Sequence, residues 1–220
     1  MVVAIKMRTF KRLKLLFVCV LLILVCVKIH PVTYVMQKIY PLKYEDIIIK
    51  YSREYNLDRY LVMAVISAES NFDETAQSHK NAKGLMQVTD DTAQWICKKY
   101  GINANSAENV ENDKNDKIDK NDKNDKNSEK IKNPDFFDPD TNIHIGCAYL
   151  EFLLNTFDGN VKNSIAAYNA GHGNVAKWLD DSNHTDDGEN LKSIPFGETD
   201  KYVNKVIKRI YIYKKLYGGK

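Results

Sequence analysis

The chain has 220 residues, 44% hydrophobic and 28% charged, which is the composition of a folded globular protein. Its formal net charge of +3 is too small to argue for a nucleic-acid partner. A multidomain machine, a polytopic membrane protein and a disulfide-stapled miniprotein are all excluded at this size and with 4 cysteines. The averages hide three pieces. Residues 1–30 are basic and then apolar, residues 105–133 are mostly Asn, Asp, Lys and Glu, and the remaining ~160 form one domain of ordinary size.

Lys6, Arg8, Lys11, Arg12 and Lys14 precede Leu15–Val27, an uninterrupted apolar run of thirteen. A transmembrane helix needs about 17–25 residues, whereas the apolar part of a secretory signal takes about 7–15. No small-x-small cleavage site follows, because the next residues are Lys28, Ile29, His30 and Pro31. With Arg12, Lys14 and Lys28 snorkelling, Leu13–Ile29 is just long enough to cross a bilayer. The basic cluster sets the N terminus in the cytoplasm and everything after the run outside. The expectation is a single-pass cell-membrane anchor over residues 1–30, a linker over 31–43 and an extracytoplasmic body. A cleaved signal would make the body secreted, and a buried core helix would leave the basic cluster unexplained. Val18 and Val25 precede Cys19 and Cys26, where a lipoprotein signal needs a small residue, so no lipidation is expected.

The body reads as helical. Ile47, Ile48, Tyr51 and Tyr55 fall at helical spacing within Tyr44–Tyr55. Asp58 is placed to cap a helix over Arg59–Glu69, in which Leu61, Val62, Val65, Ile66 and Ala68 are apolar. Asp90 or Asp91 caps a helix through Trp95 to Tyr100, and Gly101 stops it. Asp140 or Asn142 opens a helix to the region of Phe157, stopped near Gly159. Val161–Tyr168 is a shorter helix, and Glu198–Tyr217 a long one with Tyr202, Val206, Ile210 and Tyr213 along one stripe. No alternating strand or hairpin pattern is present, so the fold class is all-α. Cys97 and Cys147 each sit in an apolar helical pattern, which favours two buried free thiols over a disulfide.

Between these helices, Asn109–Lys132 repeats units such as Asn112-Asp113-Lys114 and Asn121-Asp122-Lys123. With almost nothing to bury and charges that nearly cancel, residues 105–133 are expected to be a solvated, disordered insertion. The glycine turn of a calcium loop is missing, and the acids offset the lysines as nucleic-acid ligands.

Four clusters carry chemistry. Glu69-Ser70-Asn71-Phe72 ends an apolar helix, where Val65, Ile66 and the negative end of the helix dipole would all raise a carboxyl pKa. A raised pKa suits a general acid near neutral pH. Gly84-Leu85-Met86-Gln87 lies in a loop, with Gly suited to tight backbone and Gln87 offering donor and acceptor. Read alone, it is equally an ordinary turn. Ala166-Ala167-Tyr168-Asn169-Ala170-Gly171 puts small residues and two polar tips at a helix break. In Glu198-Thr199, Thr199 is a plausible N-cap, with Tyr202 one turn on. For Trp95 and Trp178, core packing is a stronger reading than sugar stacking.

Taken in order, Glu69-Ser-x-Phe72, Gly84-Leu-Met-Gln87, Ala167-Tyr-Asn-Ala-Gly171 and Glu198-Thr-x-x-Tyr202-Val203 resemble the lytic transglycosylases of the soluble (SLT) type. That family is related in fold to goose-type lysozyme. Phe137-Asp-Pro-x-x-Asn142-Ile143-x-x-Gly146-x-x-Tyr149-Leu150 is similar to the family's connecting helix. The match runs over residues 44–217. It implies a lysozyme-like helical domain that cleaves the β-1,4 bond between N-acetylmuramic acid and N-acetylglucosamine in peptidoglycan, leaving 1,6-anhydromuramic ends. It implies Glu69 as the single catalytic acid/base, with Ser70 supporting it. Met86, Gln87, Tyr168, Asn169, Glu198 and Tyr202 are implied to line the saccharide groove, with Tyr168 bonding the acid or the sugar. The implied partners are peptidoglycan glycan strands, with the membrane reached through the N-terminal segment; no cofactor, metal or nucleic acid is called for.

The chain departs from the family pattern in places. Asn81-Ala82-Lys83 precedes Gly84, Val88-Thr89-Asp90 stands where a Pro is common, and His172 replaces a frequent Pro after Ala-Gly. These changes bear on loop conformation and subsite preference, and they leave Glu69 in place. The alternatives are a lysozyme-like hydrolase of the same bond and a peptidoglycan-binding protein without catalysis. Most hydrolases need a second carboxylate, and Asp73, Glu74 and Glu198 lack the apolar setting of Glu69.

Overall fold

The computed structural model describes residues 2–102 and 135–219, and side chains within that range except 2–13 and 25–31. The expected insertion at 105–133 and the side chain of Cys26 lie outside the described residues. Eight helices occur among the described residues: α1 (Val2–Ile39), α2 (Glu45–Glu54), α3 (Arg59–Glu69), α4 (Asp90–Tyr100), α5 (Pro139–Thr156), α6 (Val161–Ala170), α7 (His172–Leu179) and α8 (Gly197–Tyr217). Extended pairing among them is confined to the isolated bridges Gln77–Lys83, Lys83–Val88 and Thr185–Leu191. The all-α expectation therefore holds. The chain divides into two compact units, one of residues up to Lys43 plus Ile212 onward, the other Tyr44–Tyr211.

In the first unit, α1 carries the apolar run and continues to Ile39, through most of the stretch expected as a linker. Its side chains from Leu15 to Leu24 are exposed, Phe17 at 70% and Leu16 at 63%. Among the described residues, no helix is long and apolar enough to cross a membrane. Tyr217 donates from its hydroxyl to Tyr40 O at 2.7 Å, and Tyr40 meets the ring of Tyr213 edge-on at 5.7 Å.

The second unit is built around α3. Every residue from Leu61 to Ala68 is buried, so this helix is enclosed on all sides and, Ser67 apart, apolar over that stretch, as a central core helix must be. Asp58 caps it as expected, accepting from the Tyr60 amide at 2.9 Å. Helix α5 packs against α2, α4 and α6, and α6 against α7. Three caps differ from expectation by a short step along the chain. Thr89, ahead of Asp90, accepts from the Thr92 amide. Asp138 accepts from the Thr141 amide at 2.9 Å, and Pro139 takes the first helical position, where its missing N–H has no bond to lose. Gly101 stops α4 at φ +66° as expected. Thr199 falls inside α8 rather than capping it, because α8 begins at Gly197. Helix α7, which sequence periodicity did not separate from α6, is divided from it by Gly171 at φ +87°. Cys97 and Cys147 are free thiols, Cys147 fully buried and Cys97 partly so.

Candidate active site

Glu69 is the last residue of α3, one turn after Val65 and Ile66, both fully buried. Burial of its carboxyl pushes the pKa up to about 7; the hydrogen bond from Tyr202 and the positive charge of Lys205 oppose the shift. Tyr202, on α8, donates from its hydroxyl to Glu69 Oε1 at 2.6 Å. One turn further along α8, Lys205 Nζ donates to Ala68 O at 2.6 Å, and one turn beyond that Arg209 donates to Ser67 O. Two of the carbonyls that end α3 without helical partners are thus satisfied by cations, which also offset the negative end of its dipole. Lys205 has its own pKa lowered, first by burial and then by Arg209, with Glu69 acting against both.

The facing side is the loop of residues 84–87. Gly84 has φ +71°, and a Cβ there would lie 2.6 Å from Asn142 Nδ2 and 2.9 Å from Phe136 O, so only glycine fits. Asn142, 1% exposed, clamps the loop with its whole amide. Its Oδ1 accepts from the Met86 amide at 2.7 Å, and its Nδ2 donates to Lys83 O at 2.9 Å and Phe136 O at 2.7 Å. Tyr168 donates from its hydroxyl to Met86 O at 2.9 Å. Ser70 Oγ donates to Leu85 O at 2.8 Å, tying the end of α3 to the loop. Gln87 Nε2 donates to Ala76 O and Gly84 O, both at 2.9 Å.

The structure brings Glu69, Ser70, Met86, Tyr168 and Tyr202 into one bonded constellation. The roles of Tyr168, Tyr202, Met86 and Gln87 differ from expectation. Tyr202, not Tyr168, donates to Glu69; Tyr168 is spent on Met86 O. The Met86 side chain is fully buried and packs against Gly146, where a Cβ would lie 2.9 Å from Met86 Cβ. Met86 therefore serves the site through its amide and carbonyl, not as a cleft-lining side chain. Gln87 holds its own loop closed. Asn169 is exposed and its Oδ1 accepts from Thr199 Oγ1 at 2.8 Å. Glu198 is exposed in the first turn of α8. Among the described residues, the side chains that bear on the charge of Glu69 are Tyr202 and Lys205, neither of them a carboxylate. Lys205 and Arg209 were missed in the sequence, although their spacing from Tyr202 marks one face of α8.

These features define an all-α, lysozyme-like domain organised around one buried glutamate. The family model of the transglycosylase SLT domain matches residues 46–115 and 118–191; the chain belongs to that family. It is 30% identical over 186 residues to the soluble lytic murein transglycosylase of Escherichia coli (strain K12), covering 84% of this chain and 25% of that protein. It is 32% identical over 146 residues to the membrane-bound lytic murein transglycosylase C of Edwardsiella ictaluri (strain 93-146), covering 61% and 33% respectively. Among solved structures, the 70-kDa soluble lytic transglycosylase in complex with bulgecin A superposes with a TM-score of 0.64 at 28% identity, over 83% of this chain and 26% of that one. An inactive mutant of the lytic transglycosylase Slt from Pseudomonas aeruginosa gives 0.61 at 30%, over 80% and 24%. The chain spans about a quarter of the length of the soluble relatives it matches.

Proposed function

We propose that this protein is a peptidoglycan lytic transglycosylase, cleaving the β-1,4 bond between N-acetylmuramic acid and N-acetylglucosamine with Glu69 as its single acid and base. The observation that carries this reading is a carboxyl with a pKa of about 7, buried at a helix end and held by Tyr202. At that pKa the same group is a competent acid in one step and a competent base in the next. Protonated Glu69 gives its proton to the bridging oxygen as the C1–O bond breaks. The carboxylate then takes the proton of the muramic C6 hydroxyl as O6 bonds to C1, closing the 1,6-anhydro ring. Glu69 ends protonated, the leaving sugar carries the first proton, and no water is consumed. Tyr202 stabilises the carboxylate between the two steps. Ser70, the backbone of Met86, Tyr168 and Gln87 fix the facing loop, and Asn169 and Glu198 border the groove from the exposed side.

Incubation of the protein with purified peptidoglycan, followed by mass spectrometry, tests the reading. Anhydromuramic ends are expected. Reducing muramic ends would make it a hydrolase, and binding without products would make it a glycan-binding protein.

The same reading divides the chain into a membrane segment over residues 1–30, a connection over 31–43 and the catalytic domain over 44–217 with its insertion at 105–133. It places the catalytic domain outside the cytoplasmic membrane, where peptidoglycan lies. The basic cluster ahead of Leu15–Val27 and the exposure of Leu15–Leu24 support membrane attachment. Retention of the full chain in the membrane fraction through high-salt and alkaline washes is the expected result; release by either wash would remove the anchor.

A further inference from the structure

Outside the Glu69 constellation, three helices contribute rings to one cluster. Trp95 of α4 meets Phe152 of α5 edge-on at 4.8 Å between centroids. His172, the first residue of α7, lies 5.7 Å from Phe152 and 6.5 Å from Trp95, nearly parallel to the latter. Trp95 is 40% exposed, which overturns the core-packing expectation for it, whereas Trp178 is 7% exposed and packs on Phe196 as that expectation required. His172 is exposed as well. Lys99 Nζ sits over Phe152 at 5.2 Å and over Trp95 at 5.9 Å from the ring centroids, bringing a hydrogen-bond donor to the cluster.

The cluster is continuous with the site. Phe152 stacks on Tyr149 at 6.4 Å, and Tyr149 meets Tyr168 at 5.2 Å. None of these three rings is fully buried, and Tyr168 ends on Met86 O beside the Glu69 loop. We propose that Trp95, Phe152 and His172 form a distal sugar platform that holds the glycan strand some residues away from the bond cleaved at Glu69. This inference rests on the glycan-strand reading above. The C–H face of a pyranose ring is apolar and slightly positive, and it complements the negative face of an indole. Aromatic surface flanked by a donor matches an amino-sugar ring, which is apolar on its face and polar at its rim. The chain of rings leading back to Tyr168 points to the strand already engaged at the site as the occupant, ahead of a second copy of the chain or a lipid surface.

The Trp95→Ala and His172→Ala variants are compared with the parent on long glycan strands and on a tetrasaccharide, which covers less of the groove. For Trp95→Ala, kcat/KM on long strands is expected to fall roughly tenfold further than on the tetrasaccharide, with the change in KM. Trp95→Tyr restores most of the loss, because a smaller ring still stacks. Cosedimentation with insoluble peptidoglycan in a Glu69→Gln background is expected to weaken when Trp95→Ala is added. Equal losses on both substrates with unchanged cosedimentation overturn the platform, and thermal melts separate a folding defect from it. If the parent releases no product, the assignment of Glu69 fails, yet cosedimentation still decides the platform.

Discussion

Glu69 is held from two sides that differ in kind. On the α8 side, a phenol and two cations reach it or the carbonyls just before it: Tyr202, Lys205 and Arg209. On the loop side, neutral groups bind backbone: Asn142, Ser70, Tyr168 and Gln87 all end on amides or carbonyls of residues 76–87. The first side acts on the proton affinity of the carboxyl, because charge and donation to its anion change the balance between its two forms. The second side acts on position, because an uncharged clamp leaves that balance nearly untouched. Changes on the α8 side should therefore move the pH profile, and changes on the loop side should move stability and substrate binding.

The largest effect belongs to the group between the two sides. Glu69→Gln is expected to lower turnover by about 10³-fold while the fold survives. Stability gives a second readout with a definite sign. The folded pKa of about 7 lies above the ordinary glutamate value of 4.5, so folding favours the protonated form. Stability from this group is therefore intact below pH ~4.5 and falls as pH rises towards 7. Glutamine cannot ionise, so the variant should melt higher than the parent at pH ~8, by up to about 1–3 kcal/mol, and alike at pH ~4. Equal melting points at both values would mean that the carboxyl is not buried as described.

Asn142→Ala should come next, as a pure loop-side change. It leaves the Met86 amide and Phe136 O without partners in a buried place and removes one of the two donors to Lys83 O, which keeps the Val88 amide, at a cost of about 2–4 kcal/mol. Chemical denaturation measures the loss, and the residual activity should keep the parent's pH profile. A shifted basic limb would break the division between the two sides.

That division was only half legible in the sequence. Glu69 could be found because an acid at the end of an all-apolar helix stands out, and Gly84 because a tight loop needs it. Asp58 and Gly101 could be read because caps and stops are local. Asp138-Pro139 carries the same kind of local signal, a capping acid before a first-turn proline, but Asp140 two residues on offers a competing cap. The exchange of roles between Tyr168 and Tyr202 was not legible at all. Which phenol reaches the carboxyl depends on how α6 and α8 approach α3, and periodicity does not encode approach. Met86 likewise reads as a cleft residue from its motif, but the absence of a side chain at Gly146 draws it into the core.

Tyr202→Phe tests the α8 side while keeping the ring. Its hydroxyl stabilises the ionised carboxyl, so removing it raises the Glu69 pKa further. The limb of the activity profile that falls with rising pH should move to higher pH, with a modest loss of turnover. A profile of unchanged shape would reduce Tyr202 to packing.

Lys205→Met should give the smallest change and the sharpest discrimination. Lys205 is exposed as a residue, so solvent screens its charge and the shift in the Glu69 profile should be smaller than for Tyr202→Phe. Its direction is the same, because the lost cation had favoured the carboxylate. The variant also leaves Ala68 O without its donor, which should cost about 0.5–1.5 kcal/mol. Salt separates the two contributions. The pH shift is electrostatic and should shrink at high ionic strength in the parent-to-variant comparison, while the capping loss should persist. If the stability loss appears without any movement of the pH profile at low salt, Lys205 acts only as a cap on α3. The proton affinity of Glu69 would then be set by burial and Tyr202 alone, and the α8 side would divide again into one group that tunes the acid and two that hold the helix carrying it.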